Sequence, residues 1–184
     1  VIFAIAKLYR QIESKKYYQI TSFLDDSCEA AFNDLPPDVQ YELTNILQKN
    51  IILSPKEKSE FLHSLFEVLS SETAKSDKGQ YFTPSDVAKM CASSLNLFDG
   101  MSICDVACGS GVFLEEVAIR ASEDAIDCSM YGFDISERAI KVAKTMAILN
   151  DVDNIHFEKK DSLKELQVTN KSKLSSKNSK RKIF

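Results

Sequence analysis

A segment in the second half of the chain, Ile103–Leu114, has the pattern of a strand that enters a tight glycine turn and continues into a helix. Gly109 and Gly111 allow the backbone of such a turn to approach a ligand closely, where any side chain would intrude. Around this segment, runs typical of strands alternate with helical patterns, which predicts a parallel, doubly wound α/β sheet. The turn then lies at the carboxyl end of the first strand, where such sheets bind ligands.

The predicted elements divide the chain into three parts. Residues 1–75 carry helix signals and no clear strand, so we expect an all-helical N-terminal domain. Residues 76–166 are expected to form an incomplete Rossmann-like domain, and residues 167–184 a basic, low-complexity tail. The middle part has predicted strands at Met101–Val106, Met130–Phe133 and Ile155–Glu158, and predicted helices at Pro84–Asn96, Val112–Glu123 and Ser136–Asn150.

Three positions around the glycine turn distinguish between possible cofactors. A dinucleotide-binding turn would have a third glycine where this chain has Leu114. Asp105, at the end of the first predicted strand, would repel a pyrophosphate but suits the ammonium group of a methionine moiety. Asp134 ends the second strand, at the spacing where an acidic residue conventionally binds ribose hydroxyls. The sequence therefore favours S-adenosylmethionine over NAD or a flavin.

Composition argues against several other classes of function. No apolar stretch approaches the roughly 20 residues needed to span a bilayer, so no membrane association is expected. The five cysteines lack CxxC spacing and nearby histidines, so we expect reduced thiols and no metal site in a cytoplasmic protein. The net charge of −4 includes a basic tail, which leaves the rest of the chain acidic. Any contact to nucleic-acid phosphates should therefore come mainly from other regions or partners.

Two motifs resemble those of adenine-specific DNA methyltransferases, including the modification subunits of type I restriction systems. The segment Asp105–Leu114, DVACGSGVFL, is similar to the DPACGSGxFL cofactor loop of that family, with Val106 where the family usually has proline. The segment Lys78–Pro84, KGQYFTP, is similar to the family's segment of Gly-Gln, two aromatic residues, Thr and Pro. The resemblance covers about Lys78–Leu163 and implies an S-adenosylmethionine-dependent DNA adenine-N6 methyltransferase.

The resemblance also implies which residues bind the cofactor. Thr83 would line the methionine end, although Thr83-Pro84 is equally a helix N-cap pattern. Ile135 would pack on the adenine face, with core packing as the alternative. Asp161 would hydrogen-bond the adenine, with a surface-loop role as the alternative. The full set of expected cofactor-binding residues is Tyr81, Phe82, Thr83, Asp105, Ala107, Gly109, Gly111, Phe113, Asp134, Ile135 and Asp161. None of them is a candidate general base, so we expect no catalytic residue among them.

The motif that would hold the target base in this family is not found in the sequence. It is a Pro-Pro pair between a small polar residue and an aromatic one, placed after a fourth strand, where a flipped base finds acceptors and a stacking face. The pair Pro36-Pro37 lacks the aromatic residue and is predicted to be an interhelical turn. Lys182–Phe184 has the pattern of the start of a fourth strand. Without that strand, the first strand would be an exposed sheet edge.

Three hypotheses on function remain open. In the first, the chain is the cofactor-binding portion of a DNA adenine-N6 methyltransferase that acts on DNA with specificity and restriction subunits. In the second, it is a truncated, catalytically inactive module that binds S-adenosylmethionine or another protein. The third is a methyltransferase for protein glutamine or RNA, because those families share the cofactor loop. The sequence predicts neither the recognition site nor the oligomeric state nor an associated nuclease.

Overall fold

The computed structural model describes residues 2–12, 14–24, 26–51, 60–61, 63–64, 83–164 and 181–183. The helices are α1 (Ile2–Ile12), α2 (Ser14–Thr21), α3 (Asp26–Asn33), α4 (Pro37–Ile51), α5 (Ser85–Ser93), α6 (Val112–Glu123) and α7 (Glu137–Leu149). The strands are β1 (Met101–Asp105), β2 (Cys128–Asp134), β3 (Ile155–Lys159) and β4 (Arg181–Ile183). The chain divides into two compact units, Val1–Gln80 with Lys144–Asp151, and Tyr81–Ala143 with Val152–Phe184.

The first unit is helical in the part that the structure describes. Ile5, Ile20 and Leu47, on α1, α2 and α4, are fully buried and contribute to its core. Pro36 is the last residue of the connection between α3 and α4, and Pro37 is the first residue of α4. The Gln40 side chain donates a hydrogen bond to Leu35 O of this connection at 2.8 Å. The prediction of an interhelical turn at this double proline is therefore confirmed.

The second unit contains a four-stranded parallel sheet in the order β3-β2-β1-β4. The chain passes from β1 through α6 to β2, and from β2 through α7 to β3. The fourth strand then pairs on the other side of β1, with Ile103 opposite Lys182. In a doubly wound sheet, the order in which strands are added reverses at such a point. Ligands bind beyond the carboxyl ends of the two strands that flank it.

Two expectations about the sheet unit are corrected by the structure. Arg181–Ile183 of the predicted tail pair with β1, so β1 is an inner strand and not the exposed edge expected from the sequence. The predicted helix Pro84–Asn96 is shorter, because the hydroxyls of Ser93 and Ser94 bond to backbone carbonyls at its end. Such bonds compete with continuation of a helix. Residues 167–180 of the predicted tail lie outside the described residues.

Small residues bring the glycine turn close to the sheet. A Cβ added at Gly132 on β2 would lie 2.6 Å from Cδ1 of Phe157, and one added at Gly111 would lie 2.9 Å from Cζ of the same ring. Leu114 of α6 and Ala143 of α7 also approach these glycines. The Phe157 ring therefore fills space that only glycine leaves free at both positions.

Among the described helices, none has the length and apolarity needed to cross a membrane.

Candidate cofactor-binding site

The turn between β1 and α6 lies at the carboxyl end of the parallel sheet, where the sequence predicted it. Gly109 has φ +54° and Gly111 has φ +85°, a left-handed conformation that residues with a side chain rarely adopt. Around the position of a Cβ on Gly109, no atom of the described structure lies within 4 Å. The turn is therefore open at Gly109, whereas Gly111 is packed against the protein interior.

Asp134 holds the glycine turn from the end of β2. Its Oδ2 accepts a hydrogen bond from Gly109 N at 2.9 Å, and its Oδ1 accepts one from Ser136 N at 2.8 Å. The backbone adds a second link, in which Cys108 N donates to Phe133 O at 2.8 Å. Each carboxylate oxygen can accept more than one hydrogen bond, so Asp134 retains acceptor capacity for the hydroxyls of a ligand.

Asp105 places a second carboxylate at the turn. It is 7% exposed, and its Oδ1 accepts a hydrogen bond from Ala107 N at 3.1 Å. The pKa of Asp105 is raised above its ordinary value, chiefly by burial. The hydrogen bond from the Ala107 amide lowers this pKa in part, and the nearby Asp134 carboxylate raises it further. Two carboxylates close enough to interact disfavour an anionic ligand such as a pyrophosphate, and they favour a ligand that carries positive charge.

Cys108 lies within the glycine turn and is buried. Burial raises the pKa of the Cys108 thiol, and the charges of Asp105 and Asp134 raise it further. The thiol is therefore neutral near pH 7 and is a poor nucleophile. Within the ranges that the structure describes, no three His, Cys, Asp or Glu side chains gather as metal ligands.

The loop after β3 also contacts the turn, through a residue that the sequence did not single out. The Ser162 hydroxyl donates a hydrogen bond to Val106 O at 2.8 Å. The same loop is joined to β2, because Lys160 N donates to Asp134 O at 2.8 Å. The only local signal for Ser162 was its place beside Asp161, the residue expected to contact adenine.

Asp161 shapes the turn in which it lies. Its Oδ1 accepts hydrogen bonds from Leu163 N at 3.2 Å and Lys164 N at 3.3 Å, and its Oδ2 forms an ion pair with Lys164 Nζ at 3.2 Å. The Lys164 ammonium is also the first cause of a lowered Asp161 pKa. Asp161 thus has a local structural role in this turn.

The remaining predicted residues follow β2, begin α6 or precede α5. Ile135 follows Asp134 directly and is 67% exposed, so the alternative of core packing is wrong. Phe113 is half-buried in the first turn of α6. The N-cap predicted at Thr83 is also wrong, because α5 has its N-cap at Pro84, whose carbonyl accepts the first helical hydrogen bonds. Tyr81 and Phe82 lie outside the described residues.

Comparison with known proteins identifies relatives of the chain. The Type II methyltransferase M.VspI of Vibrio sp. (strain 343) is 31% identical over 123 residues, which are 62% of this chain and 28% of that protein. A ribosomal protein L11 methyltransferase of Caldanaerobacter subterraneus subsp. tengcongensis is 32% identical over 84 residues, 45% of this chain and 26% of that protein. This chain therefore spans little more than a quarter of the length of either relative.

A solved structure and a family model complete the comparison. A Listeria monocytogenes protein, described as a class I S-adenosylmethionine-dependent methyltransferase, superposes with a TM-score of 0.51 at 18% identity, over 91% of this chain and 56% of that one. This likeness confirms the predicted partial Rossmann-like α/β fold. The model of the N-6 DNA methylase family matches residues 58–177 and agrees with S-adenosylmethionine, the cofactor predicted from the sequence. Because this match extends over most of the sequence, the chain belongs to the N-6 DNA methylase family.

Proposed function

We propose that this chain forms the S-adenosylmethionine-binding portion of a DNA adenine-N6 methyltransferase. The observation that supports the proposal most strongly is the glycine turn, which is bonded to Asp134 and flanked by the buried carboxylate of Asp105. This arrangement occurs in a chain of the N-6 DNA methylase family. The family supports DNA adenine as the substrate, and the turn supports the cofactor.

The described residues fit this cofactor in shape and in charge. The open side of Gly109 would admit the adenosine, which a side chain at that position would obstruct. Asp134 would accept hydrogen bonds from the ribose hydroxyls with its remaining lone pairs. The Asp105 carboxylate would offset the positive charge of the methionine moiety. A dinucleotide fits less well, because its pyrophosphate would lie beside two carboxylates.

Further residues are assigned to the same pocket from the order of the motifs. Ile135 and Asp161 follow β2 and β3, and we assign them to the adenine end. Ala107 and Phe113 flank the glycine turn on either side. The methionine end is assigned to Tyr81, Phe82 and Thr83. All of these are binding roles, and none of these residues is assigned a role in proton transfer.

The chain's own residues would bind and orient the methyl donor. When bound, S-adenosylmethionine supplies a methyl group activated by its sulfonium charge. Asp105 and Asp134 would fix the two ends of that molecule relative to the sheet, so that the methyl group has one position. Regions other than the described residues would hold the flipped adenine and the DNA, with specificity and restriction subunits as further partners. A protein with this activity would act in the cytoplasm.

The direct test is methyl transfer by the full-length protein from S-adenosylmethionine labelled in its methyl group. DNA is digested to nucleosides after the reaction, and the labelled nucleoside is identified by chromatography. We expect N6-methyladenine, with a loss of at least tenfold in Asp134→Ala and no loss in Asp153→Ala, an exposed aspartate of the same unit. Label in methylcytosine would contradict the assignment of the substrate.

A protein substrate is the second candidate, because the chain also matches a ribosomal protein L11 methyltransferase. The same labelled cofactor, offered with ribosomal proteins and without DNA, tests it. Label in a protein band in this assay, together with no label in DNA in the first assay, would favour this candidate. Cofactor binding without transfer to either substrate would favour the inactive binding module.

A further inference from the structure

A hydrogen bond joins the loop after β3 to the start of the glycine turn. The Ser162 hydroxyl donates to Val106 O at 2.8 Å, and both residues are half-buried. Val106 directly follows β1 and is the first residue of the turn that leads to Gly109. This bond therefore restrains the turn at its origin, before the residues that face a ligand.

The turn around Ser162 is itself built to present that hydroxyl. Asp161 accepts hydrogen bonds from the amides of Leu163 and Lys164 and pairs with the Lys164 ammonium. Lys164 N also donates to Asp161 O at 3.1 Å. These bonds close a compact turn around Ser162, so its hydroxyl has few alternative positions.

Within the glycine turn, Ala107 N donates a hydrogen bond to Asp105 Oδ1 at 3.1 Å and Gly111 N donates one to Cys108 O at 2.8 Å, and neither bond involves the Val106 carbonyl. Gly109 and Gly111 have wide conformational freedom, and Val106 does not fix its φ angle as proline would. At its far end, the turn is held by the bonds of Cys108 N to Phe133 O and Gly109 N to Asp134. Near its start, the hydrogen bond from the Ser162 hydroxyl to Val106 O links the turn to the loop after β3.

We propose that Ser162 is a positioning residue for the cofactor-binding turn. Its hydroxyl holds the Val106 carbonyl and thereby keeps the turn in the shape that accepts the cofactor. Loss of the bond leaves the turn more mobile, and cofactor binding must then order it. The effect on binding rests on the function proposed above, whereas the restraint itself does not depend on any ligand.

The test compares four variants of the full-length protein. Ser162→Ala removes the hydroxyl, Ser162→Thr keeps it, and Ser162→Cys keeps the size but weakens the donor. Ser122→Ala, at an exposed position of α6, is the matched control. Hydrogen exchange is measured by mass spectrometry without cofactor, on the peptide that contains Cys108 and Gly109. Calorimetric titration with S-adenosylmethionine then gives the affinity of each variant.

We expect Ser162→Ala to speed exchange in that peptide and to weaken cofactor binding about fivefold, the usual effect of losing one hydrogen bond. Ser162→Thr should retain wild-type exchange and affinity, and Ser162→Cys should give intermediate values. The cysteine variant also provides the test if the alanine variant does not fold. Wild-type exchange in the alanine and cysteine variants would overturn the restraint. Faster exchange with unchanged affinity would overturn the positioning role. A folded wild-type protein that binds no S-adenosylmethionine would instead refute the proposed function.

Discussion

Asp105 shows how a single side chain with a proposed binding role can cost stability. It is 7% exposed and lies close enough to Asp134 for the two charges to interact. Burial of a carboxylate beside another one disfavours its charged form in the absence of a ligand. A cationic ligand would relieve that cost. Residues at functional sites often lower the stability of the folded protein in this way.

The pH dependence of this cost can be predicted from the direction of the pKa shift. The folded-state pKa of Asp105 is raised above its ordinary value of 3.8, so the folded chain binds the proton more tightly than the unfolded chain. Its stabilising contribution is therefore present below that ordinary value and is lost as the pH rises through the folded-state pKa. We expect Asp105→Asn to increase the free energy of unfolding of the cofactor-free protein at pH 7, with a smaller gain at pH 4.

Urea unfolding at the two pH values measures this difference. Asp153→Asn, at an exposed aspartate, serves as the control and should change stability little at either pH. A cofactor-free Asp105→Asn protein that is less stable than wild type at pH 7 would contradict the account. Cofactor affinity should fall in Asp105→Asn in spite of its greater stability.

The two glycines of the turn are predicted to respond differently to alanine. Gly109→Ala meets open space and loses mainly the ease of a positive φ, a cost of about 1 kcal/mol. Gly111→Ala adds an overlap with the Phe157 ring, whose Cζ would lie 2.9 Å from the new Cβ, and should cost about 2–4 kcal/mol. Chemical unfolding of both variants measures these costs.

Ala125→Gly is the control in the opposite direction, because Ala125 has φ +53° and its replacement by glycine should increase stability. Equal losses in the two glycine variants would show that Gly111 is not packed as described.

Helix α5 depends on a side chain from another helix. Arg120 of α6 donates hydrogen bonds to Ala92 O at 2.6 Å and Leu95 O at 2.8 Å, near the carboxyl end of α5. Carbonyls at that end of a helix lack partners within the helix, and a cation there is favourable. The guanidinium also lies 3.5 Å from the Asp124 carboxylate.

We expect Arg120→Ala to lower the free energy of unfolding by about 1–3 kcal/mol, because two carbonyls lose a charged donor. Arg120→Lys should recover only part of this, since one ammonium cannot match the forked geometry of a guanidinium. Thermal and urea unfolding provide the measurement, and Arg138→Ala, at an exposed position of α7, is the control. An Arg120→Ala variant as stable as the control would mean that these bonds contribute nothing net.

Most helices and strands of the sheet unit could be predicted from local sequence, and their exact ends could not. Helix α6 has the predicted bounds Val112–Glu123, because the glycine turn before it and its apolar face are both local signals. Strand β2 begins at Cys128, two positions before the predicted start, since Cys128 and Ser129 pair with β1. That pairing partner lies far away in sequence. Strand β4 was indicated only by a basic residue followed by a short apolar ending, and its partner β1 is still more remote in sequence.

The order of the strands explains why the site could be predicted in part. The parallel order β3-β2-β1-β4 brings the carboxyl ends of β1 and β2 together, so Asp105 and Asp134 meet at the glycine turn as their motifs implied. The bond from Ser162 to Val106 spans 56 residues and leaves no periodic or motif signal. Contacts of that kind follow from the assembled sheet and not from any one segment.

The central claim is that this sheet binds S-adenosylmethionine at the turn held by Asp134. Calorimetric titration of the full-length protein with S-adenosylmethionine, with NAD as the competing ligand, tests it most directly. We predict one site for S-adenosylmethionine, no binding of NAD, and at least a tenfold loss of affinity in Asp134→Ala but not in Asp153→Ala. Binding of NAD, or an unchanged affinity in a folded Asp134→Ala protein, would contradict the account.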